Sequence, residues 1–258
     1  MSGIHPSALI DPKAELADDV EVGPFSVIGP KVRIDSGCWI GPHVVITGRT
    51  TMGRNNRIFQ FASMGEEPQD KKYAGEDTEL ILGDNNNVRE LCTFSRGTAQ
   101  GGGKTIIGNN NWIMACVHIA HDCILGDNII MANNASLAGH VTVGDYAILS
   151  GYTLIHQFCI VGEHSFTSFA SHVNQSIPPY VTVSGEKAKA KGVNTEGLKR
   201  RGYTPEQVQQ VRRAYKVLYR SGLPLEEAKA KLQEMAQDSV EIEPLVRFLE
   251  KTEKSLIR

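Results

Sequence analysis

Histidine is the residue type whose number and spacing most directly suggest chemistry in this chain. Four of the eight histidines, His118, His121, His140 and His156, fall within a 39-residue stretch. The imidazole side chain titrates near neutral pH and can therefore take a proton from a substrate. The cluster predicts a groove with a general base. Histidines scattered over a polar surface are the alternative that the residues alone leave open.

Metal binding and thiol chemistry are weaker interpretations. The close pair His118 and His121 is three residues apart and adjoins Asp122. Zinc needs three or four converging ligands, so we predict no metal site. The five cysteines contain no C-x-x-C pair, and their odd number does not suit a disulfide framework. A nucleophilic cysteine needs an activated, exposed setting, and nothing in the sequence marks one.

Positive charge is concentrated in residues 187–220. This stretch holds ten lysines and arginines and two glutamates, a net charge of +8, whereas the whole chain is −2 and the remainder is therefore −10. Such asymmetry indicates an acidic protein partner or a phosphorylated ligand. RNA is the alternative partner, but the aromatic platforms on which RNA-binding modules stack bases are absent.

The overall composition is ordinary for a soluble globular protein. The 258 residues are 41% hydrophobic and 22% charged. A net charge of −2 argues against a general nucleic-acid-binding protein. No run of 18 apolar residues is present, so no membrane span is predicted. The first residues lack the basic and apolar regions of a signal peptide, so the expected location is the cytoplasm.

The elements that must position the histidines follow from a six-residue repeat, which should be sought before local structure. Every sixth residue from Ile4 to Met64 is aliphatic. The register slips by one across residues 97–104 and then continues from Ile107 to Val161. Neither a helix, with a period of 3.6, nor an ordinary strand, with a period of 2, produces this spacing.

A triangular coil does produce a six-residue period. Three flat faces of six residues make one coil, and successive coils stack as parallel strands about 4.8 Å apart. Thr167 breaks the aliphatic register and Val173 restores it. His140 lies eighteen residues after Asp122, which places one above the other in adjacent coils. We therefore predict an all-β parallel β-helix.

Other repeat positions carry further expectations. All eight histidines fall at positions that point outward. Glycine is frequent two residues into the repeat, where we expect it to permit the unusual backbone angles of tight corners. The second inward position is small, and it holds the four cysteines Cys38, Cys92, Cys123 and Cys159.

The chain divides into a β-helix over residues 1–184 and a small α-helical domain over 185–258. Insertions near 66–79 and 97–104 interrupt the coil, and loops on a rigid scaffold often carry function. Thr204 to Gln207 forms a capping box with proline at the first helical position, which predicts the start of a helix. Two more helices are predicted over 225–237 and 241–256.

Several segments resemble one family, the bacterial UDP-N-acetylglucosamine O-acyltransferases of lipid A biosynthesis. The resemblance runs from end to end, includes the helical tail and is far more specific than a bare repeat. It implies that the β-helix is left-handed. The matching segments are 60–65, 72–76, 118–123, 133–140, 156–159, 178–181 and 192–202.

The resemblance implies a reaction and roles for three residues. An (R)-3-hydroxyacyl chain passes from acyl carrier protein to the 3-hydroxyl of UDP-N-acetylglucosamine, the first step of lipid A biosynthesis. His121 would be the general base, Asp122 would orient its imidazole, and the backbone N–H of Gly139 would hold the developing oxyanion. Because the carrier protein delivers the acyl group, neither a cofactor nor a metal is implied.

The resemblance also implies the binding residues and the partners. The enzyme would be a homotrimer with sites between neighbouring prisms. Sugar, phosphate and acyl chain would be contacted by Asp70, Lys72, His118, His140, His156 and Gln157. The nucleotide and its phosphates would be contacted by Asn194, Glu196, Arg200 and Arg201. The acidic carrier protein would dock on Arg212, Arg213, Lys216 and Arg220.

Two departures from the family pattern carry expectations of their own. Ser95 stands where the family often has histidine or asparagine, which leaves open a 3-amino UDP-sugar as acceptor. Phe169 replaces a small residue in the stretch that limits the acyl chain in some members, and we expect its bulk to favour a shorter chain. A catalytically silent trimeric scaffold and a metal-dependent hydratase are the alternatives from other classes.

Overall fold

A computed structural model describes residues 3–252 and 255–258 of the chain. It is a left-handed parallel β-helix with three sheets that form the faces of a prism. Sheet 1 contains β1 (Leu9–Ile10), β4 (Val27–Ile28), β7 (Val45–Ile46), β10 (Ser63–Glu66), β13 (Thr93–Ser95), β16 (His118–Ile119), β19 (Ser136–Leu137), β22 (Leu154–Ile155) and β25 (His172–Val173).

The strands of the other two faces come between those of sheet 1 in the chain. Sheet 2 contains β2 (Glu15–Leu16), β5 (Val32–Ile34), β8 (Arg49–Met52), β11 (Glu79–Leu82), β14 (Lys104–Ile107), β17 (Ile124–Leu125), β20 (Thr142–Val143) and β23 (Ile160–Val161). Sheet 3 contains β3 (Glu21–Val22), β6 (Trp39–Ile40), β9 (Arg57–Ile58), β12 (Asn87–Val88), β15 (Trp112–Ile113), β18 (Ile130–Met131), β21 (Ile148–Leu149), β24 (Phe166–Thr167), β26 (Val181–Ser184) and β27 (Lys189–Val193).

The eighteen-residue coil predicted from the repeat is confirmed by the strand register. His118 pairs with Ser136, Ser136 pairs with Leu154, and Leu154 pairs with His172, all in parallel. The aliphatic register fills the core of the prism, where side chains such as those of Ile113 and Met131 are fully buried.

Thr167 interrupts the apolar core without leaving a polar group unpaired. Its hydroxyl lies 2.7 Å from the Thr153 hydroxyl and accepts a hydrogen bond from the Ser150 N–H at 3.1 Å. A buried hydroxyl is tolerated where it is hydrogen-bonded. The break in the aliphatic register therefore places a hydrogen-bonded hydroxyl in the core, between two coils.

The expected role of the repeat glycines is wrong. The corners are left-handed, but the residues there are mostly not glycine, and they include Asp122 (φ 59°) and His140 (φ 62°). The repeat glycines have no positive φ and are needed for space. A Cβ on Gly126 would lie 2.0 Å from Asp145 Oδ1, and one on Gly162 would lie 2.3 Å from the Pro179 nitrogen.

Both predicted insertions are loops tied to the coil. The first runs between β10 and β11, and the phenol of Tyr73 anchors it by donating to the Glu76 carbonyl at 2.7 Å and accepting from Arg96 at 2.8 Å. The second contains a 3₁₀ turn at Ala99–Gly101, which Thr98 caps. The contact with Arg96, which directly follows β13, holds the first loop against sheet 1.

The C-terminal region contains α1 (Thr195–Arg200), α2 (Pro205–Arg220), α3 (Leu225–Ala236), a 3₁₀ turn (Val240–Ile242) and α4 (Glu243–Lys251). The predicted capping box at the start of α2 is present. Sheet 3 continues past residue 184, because β27 pairs antiparallel with β26. None of the described helices is long and apolar enough to cross a bilayer.

The helix predicted over 241–256 is shorter than expected. It ends at Lys251, and residues 253 and 254 lie outside the described residues. Beyond them the chain returns to the last coil, where Leu256 bridges Ser176 and the Ile257 carbonyl accepts from the Tyr219 hydroxyl at 2.6 Å. Ile257 is buried in the prism core, so burial of an apolar side chain favours this return over a longer helix.

His164 points outward from the coil as predicted, but it is buried, with 7% of its surface exposed. Its ring stacks on Tyr146 at 4.7 Å and on Tyr180 at 5.7 Å, and the Tyr203 ring meets it edge-on at 5.4 Å. Burial, and secondarily the Arg201 cation, lower the pKa of His164 to about 4. The sequence did not reveal this burial, because Tyr203 comes from the helical region.

Replacing His164 with phenylalanine should make the protein less sensitive to acid. The unfolded imidazole takes up a proton near pH 6.5 and the folded one near pH 4, so the wild type loses stability as the pH falls from 6.5 to 4. At pH 4.5 this loss is about 2–3 kcal/mol. Urea unfolding at pH 7 and pH 4.5, at one protein concentration, measures it.

The matched control is His43→Phe, because His43 also stacks between two rings, Phe25 and Phe61, but is exposed. It should keep the wild-type acid sensitivity. Equal losses of stability in the wild type and in His164→Phe would contradict the assignment.

Candidate functional site

His121 and Asp122 form a hydrogen-bonded couple at the corner between sheets 1 and 2. His121 Nδ1 lies 2.8 Å from Asp122 Oδ2, and only 1% of the Asp122 side chain is exposed. A carboxylate can only accept a hydrogen bond, so Nδ1 carries the ring proton and Nε2 offers its lone pair to a substrate. The couple is therefore set up as a general base.

The insertion at 97–104 holds the carboxylate of this couple. The Thr98 N–H donates to Asp122 Oδ1 at 2.8 Å, and the Thr98 hydroxyl donates to Oδ2 at 2.6 Å. The Asp122 N–H donates to the Thr105 hydroxyl at 2.8 Å. A Cβ on Gly101 would lie 2.1 Å from Asp122 Cγ. The slip of the six-residue register across residues 97–104 marked this insertion in the sequence, but it did not identify Thr98.

Gly139 lies directly against the imidazole, in the next coil along the chain. A Cβ at this position would lie 2.6 Å from His121 Cε1 and 2.8 Å from Nε2, so any side chain would displace the ring. Within residues 3–252 and 255–258, the Gly139 N–H has no hydrogen-bond acceptor. An unpaired backbone donor beside a general base can stabilise an oxyanion as it forms.

Two further histidines are held close to the couple and kept uncharged. The His140 ring meets His121 edge-on at 5.2 Å and stacks on Phe158 at 4.5 Å. Burial chiefly, together with His121, lowers the pKa of His140, against the opposing effect of Asp122. Burial also lowers the pKa of His118, whose Nδ1 lies 2.8 Å from the Thr93 hydroxyl. At neutral pH both rings can exchange hydrogen bonds with a polar ligand.

These residues line one groove of about 750 Å³, which we call the histidine groove. Five of the six residues predicted to contact sugar, phosphate or acyl chain border it, together with Ser95, and the sixth, His156, is exposed outside it. The five are Asp70, Lys72, His118, His140 and Gln157. Residues that sequence reasoning missed also line it, namely Gln69, Lys71, Gln100 and Phe158.

The four residues predicted to contact the nucleotide lie elsewhere on the same chain. Asn194, Glu196, Arg200 and Arg201 line a groove of about 550 Å³, the arginine groove, which shares no lining residue with the histidine groove. Its floor is the outer face of sheet 3, formed by Ile130, Ile148 and Phe166. Asn194 caps α1, since its Oδ1 accepts from the Gly197 N–H and its Nδ2 donates to the His164 carbonyl.

The remaining predicted residues lie on the surface. Phe169 is 69% exposed, packs edge-on against Tyr152 and borders neither groove. The predicted docking residues Arg212, Arg213, Lys216 and Arg220 are exposed on α2. Arg220 also lines a third groove, the basic groove, with Lys187, Lys189 and Arg258.

Among the described residues, one cluster has the composition of a metal site. One ligand atom each from His121, Asp122 and His140 lies within 4.8 Å of the others. However, His121 Nδ1 is bound to Asp122, whose carboxylate also accepts two hydrogen bonds from Thr98. A metal would have to replace these bonds, so the arrangement favours proton transfer.

Known proteins match the chain over its whole length. The acyl-[acyl-carrier-protein]–UDP-N-acetylglucosamine O-acyltransferases of Herminiimonas arsenicoxydans and Neisseria gonorrhoeae are 55% and 54% identical to it, each with 100% of both chains covered. A family model described as UDP N-acetylglucosamine O-acyltransferase, domain 2, matches residues 177–257, and a bacterial transferase hexapeptide (six repeats) model matches 104–139.

Solved structures of such enzymes superimpose on this one. The UDP-N-acetylglucosamine acyltransferase of Francisella novicida has a TM-score of 0.97 and 44% identity, with 99% of this chain and 94% of that chain covered. The Arabidopsis enzyme has a TM-score of 0.85 and 34% identity, with 99% and 100% covered. Together with the identity over the full length, these matches show that the chain belongs to the acyl-[acyl-carrier-protein]–UDP-N-acetylglucosamine O-acyltransferase family.

Proposed function

We propose that this chain transfers an (R)-3-hydroxyacyl group from acyl carrier protein to the 3-hydroxyl of UDP-N-acetylglucosamine, the first step of lipid A biosynthesis. One observation carries the proposal: the His121 imidazole, oriented by Asp122, lies directly on Gly139, whose N–H is unpaired among the described residues. A base and an oxyanion donor side by side are what acyl transfer requires.

The geometry supports a simple sequence of steps. His121 Nε2 takes the proton of the sugar hydroxyl as its oxygen attacks the thioester carbon, and the Gly139 N–H donates to the resulting oxyanion. Collapse of this intermediate breaks the carbon–sulfur bond, and the thiolate takes the proton from His121. One preorganised oxyanion donor contributes about 3–4 kcal/mol. The thioester is already activated, so the reaction needs no cofactor or metal.

Asp122 contributes by holding the imidazole in one tautomer. The carboxylate is buried and bonded to Thr98, so it can stabilise the imidazolium without moving. Asp70, Lys72, His118, His140, His156 and Gln157 would contact sugar, phosphate and acyl chain. Of these, His156 could reach a ligand only at the outer rim of the histidine groove, because it does not line it.

A second copy of the chain would complete the site. Asn194, Glu196, Arg200 and Arg201 line the arginine groove on sheet 3, away from the histidine groove of the same chain. A homotrimer would bring the histidine groove of one prism to the arginine groove of its neighbour. The nucleotide would then be held by one subunit and the sugar hydroxyl by the other.

The carrier protein would dock on α2 and the adjoining basic groove. Arg212, Arg213, Lys216 and Arg220 are exposed, and no carboxylate lies within ion-pair distance of them in the described part of the chain. An acidic partner would therefore meet unneutralised positive charge, which steers association. The related proteins are named as O-acyltransferases, which favours a hydroxyl acceptor over the 3-amino sugar.

Turnover of (R)-3-hydroxyacyl carrier proteins of several chain lengths with UDP-N-acetylglucosamine tests the proposed function. The wild type should form the 3-O-acyl product, and His121→Ala should lower kcat by about 10²–10⁴, because general-base catalysis contributes that much. His43→Ala, at an exposed histidine in the N-terminal coils, is the matched control and should react normally. A folded wild type without product at any chain length would refute the proposal.

Thr98→Val should lower kcat by about 10- to 150-fold with little change in KM for either substrate. Valine has the shape of threonine but leaves one Asp122 oxygen without its hydroxyl donor, and a hydrogen bond to a charged group is worth about 1.5–3 kcal/mol. Thr98→Ser keeps the donor and should retain activity. If Thr98→Val and Thr98→Ser have the same kcat, the hydroxyl does not support the base.

Phe169→Gly should shift the preferred acyl chain toward longer lengths. We propose that the exposed Phe169 ring lies at the far end of the acyl channel, where its bulk would exclude the last carbons. The ratio of kcat/KM for long and medium acyl carrier proteins should rise in the variant. A wild type that uses long and medium chains equally well would show that Phe169 does not limit chain length.

A further inference from the structure

Arg201 is held by an aromatic ring rather than by a carboxylate. Its guanidinium carbon lies 4.7 Å from the centroid of the Tyr146 ring. Among the described residues no carboxylate lies within ion-pair distance of Arg201, and Glu196, which lines the same groove, pairs with Lys199 instead. A guanidinium stacked on a π face keeps its N–H donors available for an anion.

The ring beneath Arg201 is itself fixed on its other side. Tyr146 stacks on the buried His164, which in turn stacks on the buried Tyr180, with interplanar angles of 13° and 18°. Close packing between parallel rings leaves Tyr146 little freedom to tilt. These three stacked rings, which we call the aromatic column, therefore present a fixed surface to Arg201.

The residues that directly follow α1 contact two rings of this column. The Arg201 N–H closes the helix on the Gly197 and Leu198 carbonyls, and Gly202 then turns the chain with a φ of 85°. Tyr203 follows, donates its N–H to the Leu198 carbonyl at 3.1 Å, and places its ring edge against His164. Arg201 and Tyr203 thus contact successive rings of one column.

This corner of the prism carries an aromatic residue in only some of the coils. In three preceding coils the same corner carries Asn85, Asn110 and Asn128, each with a φ of 57–58°. The corner changes to Tyr146 and His164 where α1 packs against the prism. The prism itself accepts asparagine at this corner, so it does not require tyrosine there.

We propose that Tyr146 is a positioning residue that holds the Arg201 guanidinium toward the phosphates of the nucleotide sugar. This inference rests on the proposed function, in which the arginine groove takes the nucleotide. Tyr146 touches Arg201 and not the reacting atoms, so it acts on binding of the nucleotide sugar and leaves the chemical step unchanged.

A comparison of Tyr146→Asn with Tyr146→Phe tests the proposal. Asparagine fits the left-handed corner but removes the ring, whereas phenylalanine keeps the face. A cation–π contact is worth about 0.5–2 kcal/mol, so Tyr146→Asn should weaken binding of UDP, measured by calorimetry, by about 2- to 30-fold. KM for UDP-N-acetylglucosamine should rise by a similar factor with kcat unchanged, and Tyr146→Phe should restore both values.

Phe61→Asn is the matched control. Phe61 also occupies a left-handed corner, with a φ of 64°, and stacks on a histidine, but it lies in the N-terminal coils, and no arginine of the described chain lies over its ring. It should lower stability about as much as Tyr146→Asn without changing UDP affinity. Equal effects of the two variants on UDP affinity would show that Tyr146 acts only through general stability.

A double-mutant cycle with Arg201→Met locates the effect. If Tyr146 acts through Arg201, Tyr146→Asn should cost little further UDP affinity in the Arg201→Met background. Full additivity, or normal UDP binding in Tyr146→Asn, would overturn the inference. Failure of the proposed function would look different, since the wild type would then form no acyl product although UDP binding still depended on Tyr146.

Discussion

The rest of the structure depends on one constraint: successive coils stack at the distance between neighbouring strands of a sheet, about 4.8 Å. Residues eighteen apart lie over one another, so the order of the chain fixes which side chains meet. This puts Gly139 one coil above His121, and His140 one coil above Asp122. The same closeness requires glycine at Gly126 and Gly162, where a Cβ would overlap the next coil. His121, Gly139 and His140 meet without any contact between distant segments, because the coil has already stacked them.

A stacked coil provides rows of outward side chains, but it does not hold a buried carboxylate by itself. Asp122 is stabilised by a feature outside the repeat, the insertion at 97–104, which supplies two donors from Thr98. Burial of an unsupported carboxylate would cost several kcal/mol. The slip of one residue in the aliphatic register marks this insertion, so the irregularity in the sequence and the support of the His121–Asp122 couple have one origin.

The sequence predicted what depends on periodicity and missed what depends on contact between distant segments. The coil, the inward cysteines and the start of α2 follow from local pattern and are confirmed. The proposed chemical roles of His121, Asp122 and Gly139 came from the resemblance, since six-residue spacing alone does not distinguish a base from a surface histidine. Thr98 could not be identified, because no pattern shows that its hydroxyl meets a carboxylate twenty-four residues away. The burial of His164 was missed for the same reason.

The faces of a triangular prism also account for the separation of the predicted contact residues into two grooves. The histidine groove belongs to the corner of sheets 1 and 2, and the arginine groove belongs to sheet 3 and α1. Side chains on different faces diverge, so the two sets from one chain cannot converge on a single ligand. In the proposed homotrimer, a second prism that presents sheet 3 to the first prism's corner would resolve this divergence. Assembly of the proposed active site between subunits would thus be a consequence of the coil's shape.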